Sequence, residues 1–273
     1  MPRRPNAVRA GAAPASDGYF ARSKQPLEIL FFLLPLIVFY EIGLVVVLRQ
    51  GHAVMTNRAH EALLRLFDVF GLDAAALSLP ALSLPGVLLI VVLLAWQALA
   101  RRPWVVDLRT VAIMAIESAV LAVPLFLAIQ LVMQAFAQHD PTAAIAASVD
   151  GSTASPEASL RALSPVARVA ISIGAGLYEE LIFRMALIAV MHTLFVDAIG
   201  WKEKPSIALA VVISTIAFVL YHPLSGPHGA IEWRRVVSLT VIGLWFGGVF
   251  AFRGFGIVVG THAAYDIAAL MVE

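Results

Sequence analysis

Long apolar runs separated by short polar breaks set the pattern of this chain. Runs near 27–48, 84–100 and 108–137 each approach the ~20 residues with which a helix covers ~30 Å of hydrocarbon. A fourth opens at Ser164-Pro165, a capping serine followed by proline at the first helical position, and continues past Tyr178-Glu179-Glu180. Further runs lie near 206–224, 236–252 and 255–272, and residues 185–200 are apolar enough for one more. The predicted fold class is all-α, a polytopic transmembrane helical bundle of seven or eight spans. Residues 50–83 mix Arg58, Glu61, Arg65 and Asp68 with leucines, the pattern of an interfacial amphipathic helix whose role is packing.

Composition agrees with a membrane solvent. The sequence is 60% hydrophobic and only 14% charged, with a mean hydropathy of +0.88, against the ~25% charged residues of an ordinary globular domain. It has no cysteine, so disulfides, thiolate metal sites and thiol nucleophiles are excluded, and any catalysis must use oxygen or imidazole chemistry. The net charge of +1 is uninformative, but its placement is not. Arg3, Arg4, Arg9, Arg22 and Lys24 precede the first span against a single Asp17, and Arg101-Arg102-Pro103 separates the second span from the third. The positive-inside rule assigns both segments, and therefore the N-terminus, to the cytoplasm. Residues 1–26 are then expected to be a disordered basic tail, residues 138–164 a polar outer loop, and residues 27–273 a single membrane domain. There is no internal repeat, no glycine-rich phosphate loop, and no basic patch with interleaved aromatics, so no nucleic-acid partner is expected.

Chemistry is sought in the ionisable groups inside these apolar helices, because a charge at mid-bilayer costs at least ~2.5–3.5 kcal/mol and persists where it faces a partner or a cavity. Glu28, Glu41 and Glu117 sit near span ends or among small polar residues and are expected to make interhelical hydrogen bonds or to snorkel. A second set is more concentrated: Glu179, Glu180, Arg184, His222, His262 and Asp266. Glu180 and Arg184 are four residues apart, neighbours on one helical face in the favourable order for an ion pair. Glu179 is rotated ~100° from Glu180 and is left to point elsewhere. Phe218 and His222 share the four-residue spacing, which lets the ring pack beneath the imidazole. His262 and Asp266 repeat it, which lets the carboxylate orient the second imidazole.

Each pair alone is near chance; together, in this order and within membrane spans, they are specific. Glu179-Glu180-Leu-Ile-Phe-Arg184, Phe218-x-x-x-His222 and His262-x-x-x-Asp266 resemble the three motifs of the CPBP family of intramembrane proteases, the CAAX prenyl protease 2 and bacteriocin-processing group. The resemblance covers a motif-bearing core over residues 164–270. It implies an all-helical intramembrane endopeptidase acting on membrane-associated protein or peptide substrates within a lipid bilayer. Glu179 would be the general base activating water, with His222 helping to position it. His262 and Asp266 would stabilise the oxyanion, and Glu180 and Arg184 would hold the geometry. Asparagine is more usual where this chain has Asp266, and an ionised carboxylate cannot itself donate to an oxyanion.

No cofactor is required on this basis. Glu179, His222 and His262 are also an acceptable zinc set with one open position, although the HExxH signature is absent. Two other classes are compatible with the same residues: a non-proteolytic protein, such as a bacteriocin immunity factor or scaffold with a structural polar core, and a transporter. The broken helix pairs of transporters are not evident. Tyr265-Asp266 has no second intramembrane aspartate in a Gly-x-Gly-Asp setting, and Ser172, in Ile-Ser-Ile-Gly, lacks the Gly-x-Ser context of serine intramembrane proteases. The alanine-rich, cysteine-free sequence suits a bacterial protein, so the expected location is the inner (cell) membrane.

Overall fold

A computed structural model describes residues 18–50, 53–71, 82–139, 160, 162–226 and 229–272. The expected outer loop falls mainly on residues outside this set. Helix α1 covers Tyr19–Arg22, α2 Pro26–Val46, α3 Arg58–Val69, α4 Leu84–Ala100 and α5 Leu108–His139. One continuous helix, α6, runs Pro165–Ala198. It is followed by α7 over Glu203–Tyr221, α8 over Trp233–Arg253 and α9 over Phe255–Val272. A two-residue hairpin, β1 Arg49–Gln50 against β2 Ala53–Val54, is the small non-helical element after α2.

Among the described residues six helices are long and apolar enough to cross a membrane, and α4, at 17 residues, is a shorter apolar helix beside them. Residues 185–200 do not form a span of their own. They continue α6, whose 34 residues exceed the thickness of a bilayer at ~1.5 Å per residue. On α2, Phe31, Val38, Ile42 and Val46 face outward while Ile29, Leu33, Ile37 and Tyr40 are buried. Helices in lipid are apolar on both faces, so the outward side carries no polar stripe.

The centre of the bundle is α9, which packs on α5, α6 and α8. Small residues make these contacts close, as expected where helices associate without a hydrophobic drive between them. A methyl group built at Gly176 of α6 would lie 2.9 Å from the Val259 carbonyl oxygen of α9. Gly256 and Gly260, four apart on α9, similarly admit Met114 and Ser118 of α5. On α8, Gly243 and Gly247 repeat the spacing against Thr215 and Val211 of α7. These contacts draw α6, α7, α8 and α9 together around one polar cluster.

The three scattered carboxylates each have a partner. Glu28 pairs with Arg22 at 2.8 Å, Glu117 with Arg253 at 2.8 Å and with the Tyr19 hydroxyl, and Glu41 accepts from the Tyr178 hydroxyl at 3.1 Å. The first two pairings bear on the expected tail. Residues 1–17 lie outside the described residues, but Tyr19–Arg22 are helical, and Tyr19, Arg22 and Ser23 dock on the bundle through Glu117, Glu28 and Arg253.

Helix α3 is the amphipathic segment expected between the first two spans. Asn57 caps it, its side-chain oxygen accepting from the His60 amide at 2.7 Å. Its inner face buries Ala59, His60, Leu63 and Leu64, while Leu66 and Val69 face outward. The His60 ring lies 3.1 Å by Nδ1 from the Tyr40 hydroxyl and edge-on to Tyr178, with burial pushing the imidazole down to about 4. It is therefore neutral at physiological pH and couples α3 to α2 and α6 as a hydrogen-bonding group, not as a charge.

Candidate active site

The helical segment Pro165–Glu180 starts at Ser164, whose hydroxyl accepts from the Ala167 amide, and ends where the backbone widens into a π-helical turn over Leu181–Ala186. Such turns inside α-helices are frequent at functional sites. Here the wide turn falls between Glu180 and the far side of the helix and carries Arg184. One of its carbonyls, that of Phe183, accepts from the Ser214 hydroxyl of α7 at 2.6 Å. The close approach at Gly176, one turn earlier, brings the two glutamates against α9.

All seven residues singled out from the motifs meet. Glu180 and Arg184 are fully buried and 3.1 Å apart, Oε1 to Nη1. A second donor nitrogen of Arg184 reaches the Gly243 carbonyl at 3.3 Å, and its guanidinium lies over the Phe218 ring at 4.5 Å. The Phe218 ring also packs against His222, at 4.6 Å between centroids. His222 is the first residue beyond α7; its Nδ1 lies 2.8 Å from the Phe218 carbonyl, which leaves Nε2 directed at Glu179 Oε2, 3.8 Å away. From α9, His262 Nε2 approaches the same carboxylate oxygen at 4.0 Å and Asp266 Oδ2 at 3.4 Å. Glu179 is thus faced by two imidazole nitrogens, while Glu180 holds the arginine.

Residues 161–268 match a family model described as type II CAAX prenyl endopeptidase Rce1-like. This segment is similar to Rce1-like domains. The matched range contains every residue of the cluster and begins four residues before α6. No curated protein and no solved structure matches the chain. The long apolar helices and this likeness together indicate an integral membrane protein whose residues 161–268 resemble a CAAX-type protease domain.

Several contacts in this segment were not legible in its motifs. Glu180 does not serve Arg184 alone. The same Oε1 lies 2.7 Å from His262 Nδ1, so the carboxylate bridges α6 to α9 and occupies the orienting position on the imidazole. Asp266, expected there, instead stands beside Nε2. The physical reason is the close packing at Gly176, which puts the α6 carboxylate nearer Nδ1 than the one on the same helix. Phe246 of α8 stacks on His262, 4.4 Å between centroids and 22° between planes. The glycines on either side, Gly243 and Gly247, were the available sequence clue to that face of α8.

Glu179, His222 and His262 are also donors of the types that hold zinc. Nitrogen and oxygen donors on a tetrahedral zinc with ~2.1 Å bonds stand about 3.4 Å apart. Glu179 to His222 and to His262 are wider, at 3.8 and 4.0 Å, and among the described residues no group of three histidine, cysteine or acidic side chains is arranged to hold a metal ion. Glu179 thus stands slightly beyond direct hydrogen-bond reach of both imidazoles, with donors of the kinds that hold either a water or a zinc ion.

Proposed function

We propose that this protein is an intramembrane endopeptidase that hydrolyses peptide bonds of membrane-associated substrates using a water molecule activated by Glu179. The observation that carries the proposal is the division of labour between adjacent glutamates. Glu180 is tied to Arg184 and His262, whereas Glu179 has no such tie and faces two imidazole nitrogens across gaps longer than a direct hydrogen bond. Gaps of this size are commonly bridged by water.

In the reaction, the water oxygen attacks the scissile carbonyl carbon as Glu179 takes a proton from it. His222, its Nδ1 committed to Phe218, turns Nε2 toward that water and fixes its direction. His262 donates from Nε2 to the oxygen on which negative charge develops, an interaction worth about 2.7–4 kcal/mol when the donor is prepositioned in a water-poor site. Collapse of the tetrahedral species breaks the C–N bond, and the proton held by Glu179 passes to the departing amine. Glu180 and Arg184 keep the imidazole and the π-helical turn in place. Asp266 supports Nε2 without acting as a donor.

Substitution of Asp266 separates support from chemistry. Asp266→Asn keeps a side chain able to accept a hydrogen bond, so activity is expected to stay within about tenfold of the parent, whereas Asp266→Ala should lose ~10²–10³, the scale for a misplaced oxyanion donor. Rates of both variants in the same liposomes test this; an Asp266→Asn protein as inactive as Asp266→Ala would mean that the carboxylate itself does chemistry.

The proposal includes no metal. Purified protein is expected to carry substoichiometric zinc by elemental analysis and to keep its activity after exhaustive chelation. Activity that disappears with a chelator and returns with stoichiometric zinc would replace the water-activation scheme with a zinc-dependent one. We also propose a cytoplasmic N-terminus, on the strength of the basic segments around Arg22 and Arg101, and a bacterial inner membrane location, which the alanine-rich, cysteine-free sequence suits.

A further inference from the structure

We infer that Arg58 and Arg235 are positioning residues that clamp the backbone on either side of His222, making the amphipathic helix α3 part of the working site and not only an interfacial anchor. The inference rests on the proposed role of His222.

The last four carbonyls of any α-helix lack intrahelical partners. In α7 the final one belongs to Tyr221, immediately before His222. Arg58, 163 residues away at the first position of α3, donates from Nη1 to that carbonyl at 2.6 Å, and its guanidinium lies over the Tyr221 ring at 4.8 Å. On the other side of His222, the Pro223 carbonyl accepts from Arg235 Nη1 of α8 at 3.0 Å. Charge-assisted bonds of this kind are the stronger class of hydrogen bond. Between the two, His222 leaves the helix in an extended conformation, φ −85° and ψ 151°, as the residue before a proline must.

The geometry gives these contacts leverage. With Nδ1 held by Phe218, the reach of Nε2 to Glu179 is set by the backbone torsions at Tyr221 and His222. Rotation there moves the imidazole while leaving the Phe218 ring and the interior of α7 where they are. Both arginine contacts are at the exposed edge of the bundle, so their loss need not unfold it. Arg65, on the same helix, is 81% exposed and its ion pair is with Glu61 of α3, so it provides a control for the charge of α3.

The test uses purified full-length protein in phosphatidylethanolamine–phosphatidylglycerol liposomes with a library of lipid-anchored peptides, half of them prenylated near the C-terminus. The peptide cleaved fastest supplies kcat and KM. Arg58→Ala and Arg235→Ala should each lower kcat about tenfold or more, the consequence of a sub-ångström to 1 Å displacement of a reacting group, with KM changed less than twofold. Arg58→Lys, which restores a charged donor, should recover most of the loss, and Arg65→Ala should leave both constants unchanged. Wild-type cleavage that depends on Glu179 but is undiminished in Arg58→Ala and Arg235→Ala overturns the clamp alone. A raised KM with unchanged kcat also overturns it, since the arginines would then hold substrate. Absence of any Glu179-dependent cleavage by the wild type overturns the proposed function, and the clamp with it.

Discussion

Glu179→Gln is expected to abolish proteolysis while leaving an inserted, folded protein. The substitution keeps the size of the side chain and its capacity to accept from the two imidazoles, and removes the carboxylate proposed to take a proton from water. General-base catalysis contributes ~10²–10⁴ in rate, and with Glu180 held by Arg184 and His262 and Asp266 held beside His262 the loss should reach the upper end of that range. Glu179 makes no close structural hydrogen bond, its nearest charged or ring-nitrogen contacts being 3.8 and 4.0 Å away. Thermal stability in detergent should therefore match the parent. Cleavage by Glu179→Gln at more than about a tenth of the parental rate would show that another group activates the water.

Glu180→Ala should behave differently, damaging stability as well as activity. It leaves the Arg184 guanidinium, fully enclosed and otherwise bonded to a single carbonyl, without its counter-charge. Removing one partner of a buried ion pair costs ~3–5 kcal/mol, most of it the penalty of the abandoned charge. It also removes the acceptor at His262 Nδ1, so the imidazole loses its orientation and α6 loses a buried polar tie to α9. The expected result is low yield and a depressed melting temperature in detergent, with no activity in the fraction that folds. Glu180→Ala combined with Arg184→Leu should recover much of the stability and none of the activity, because the abandoned charge goes but His262 remains unoriented. A single Glu180→Ala protein as stable as the parent would mean that Arg184 is neutralised from elsewhere.

The fold was legible because hydrocarbon leaves a chain few options: apolar runs of span length become helices, and the runs read from the sequence correspond to α2 and α4–α9. Their ends were less clear where apolar character continues past the membrane. Residues 185–200 look like a separate span by hydropathy, yet no proline or glycine interrupts the helix between Glu180 and Ala198, and the backbone absorbs the extra length in two π-helical turns. The pairing of Glu180 with Arg184 and the stacking of Phe218 on His222 could be read because both are local, four residues apart on one helix. Glu180 with His262, Phe246 with His262, and Arg58 with Tyr221 were not legible, because each depends on which helices are neighbours. The traces of that neighbourhood were glycines: Gly176, the pair Gly243 and Gly247, and the pair Gly256 and Gly260. Reading α3 as packing alone missed Arg58 for the same reason, since an exposed arginine on an amphipathic helix is ordinary until a helix terminus is found beneath it.

The central claim is that this membrane protein cuts peptide bonds and needs Glu179 to do so. It is tested most directly by comparing protein termini, by mass spectrometry, in membranes of cells producing the wild type and in membranes of cells producing equal amounts of Glu179→Gln. The account predicts a defined set of fragments, with new termini at or within membrane-associated segments, present only with the wild type. Indistinguishable sets of termini from the two membranes, with both proteins inserted and folded, would contradict it.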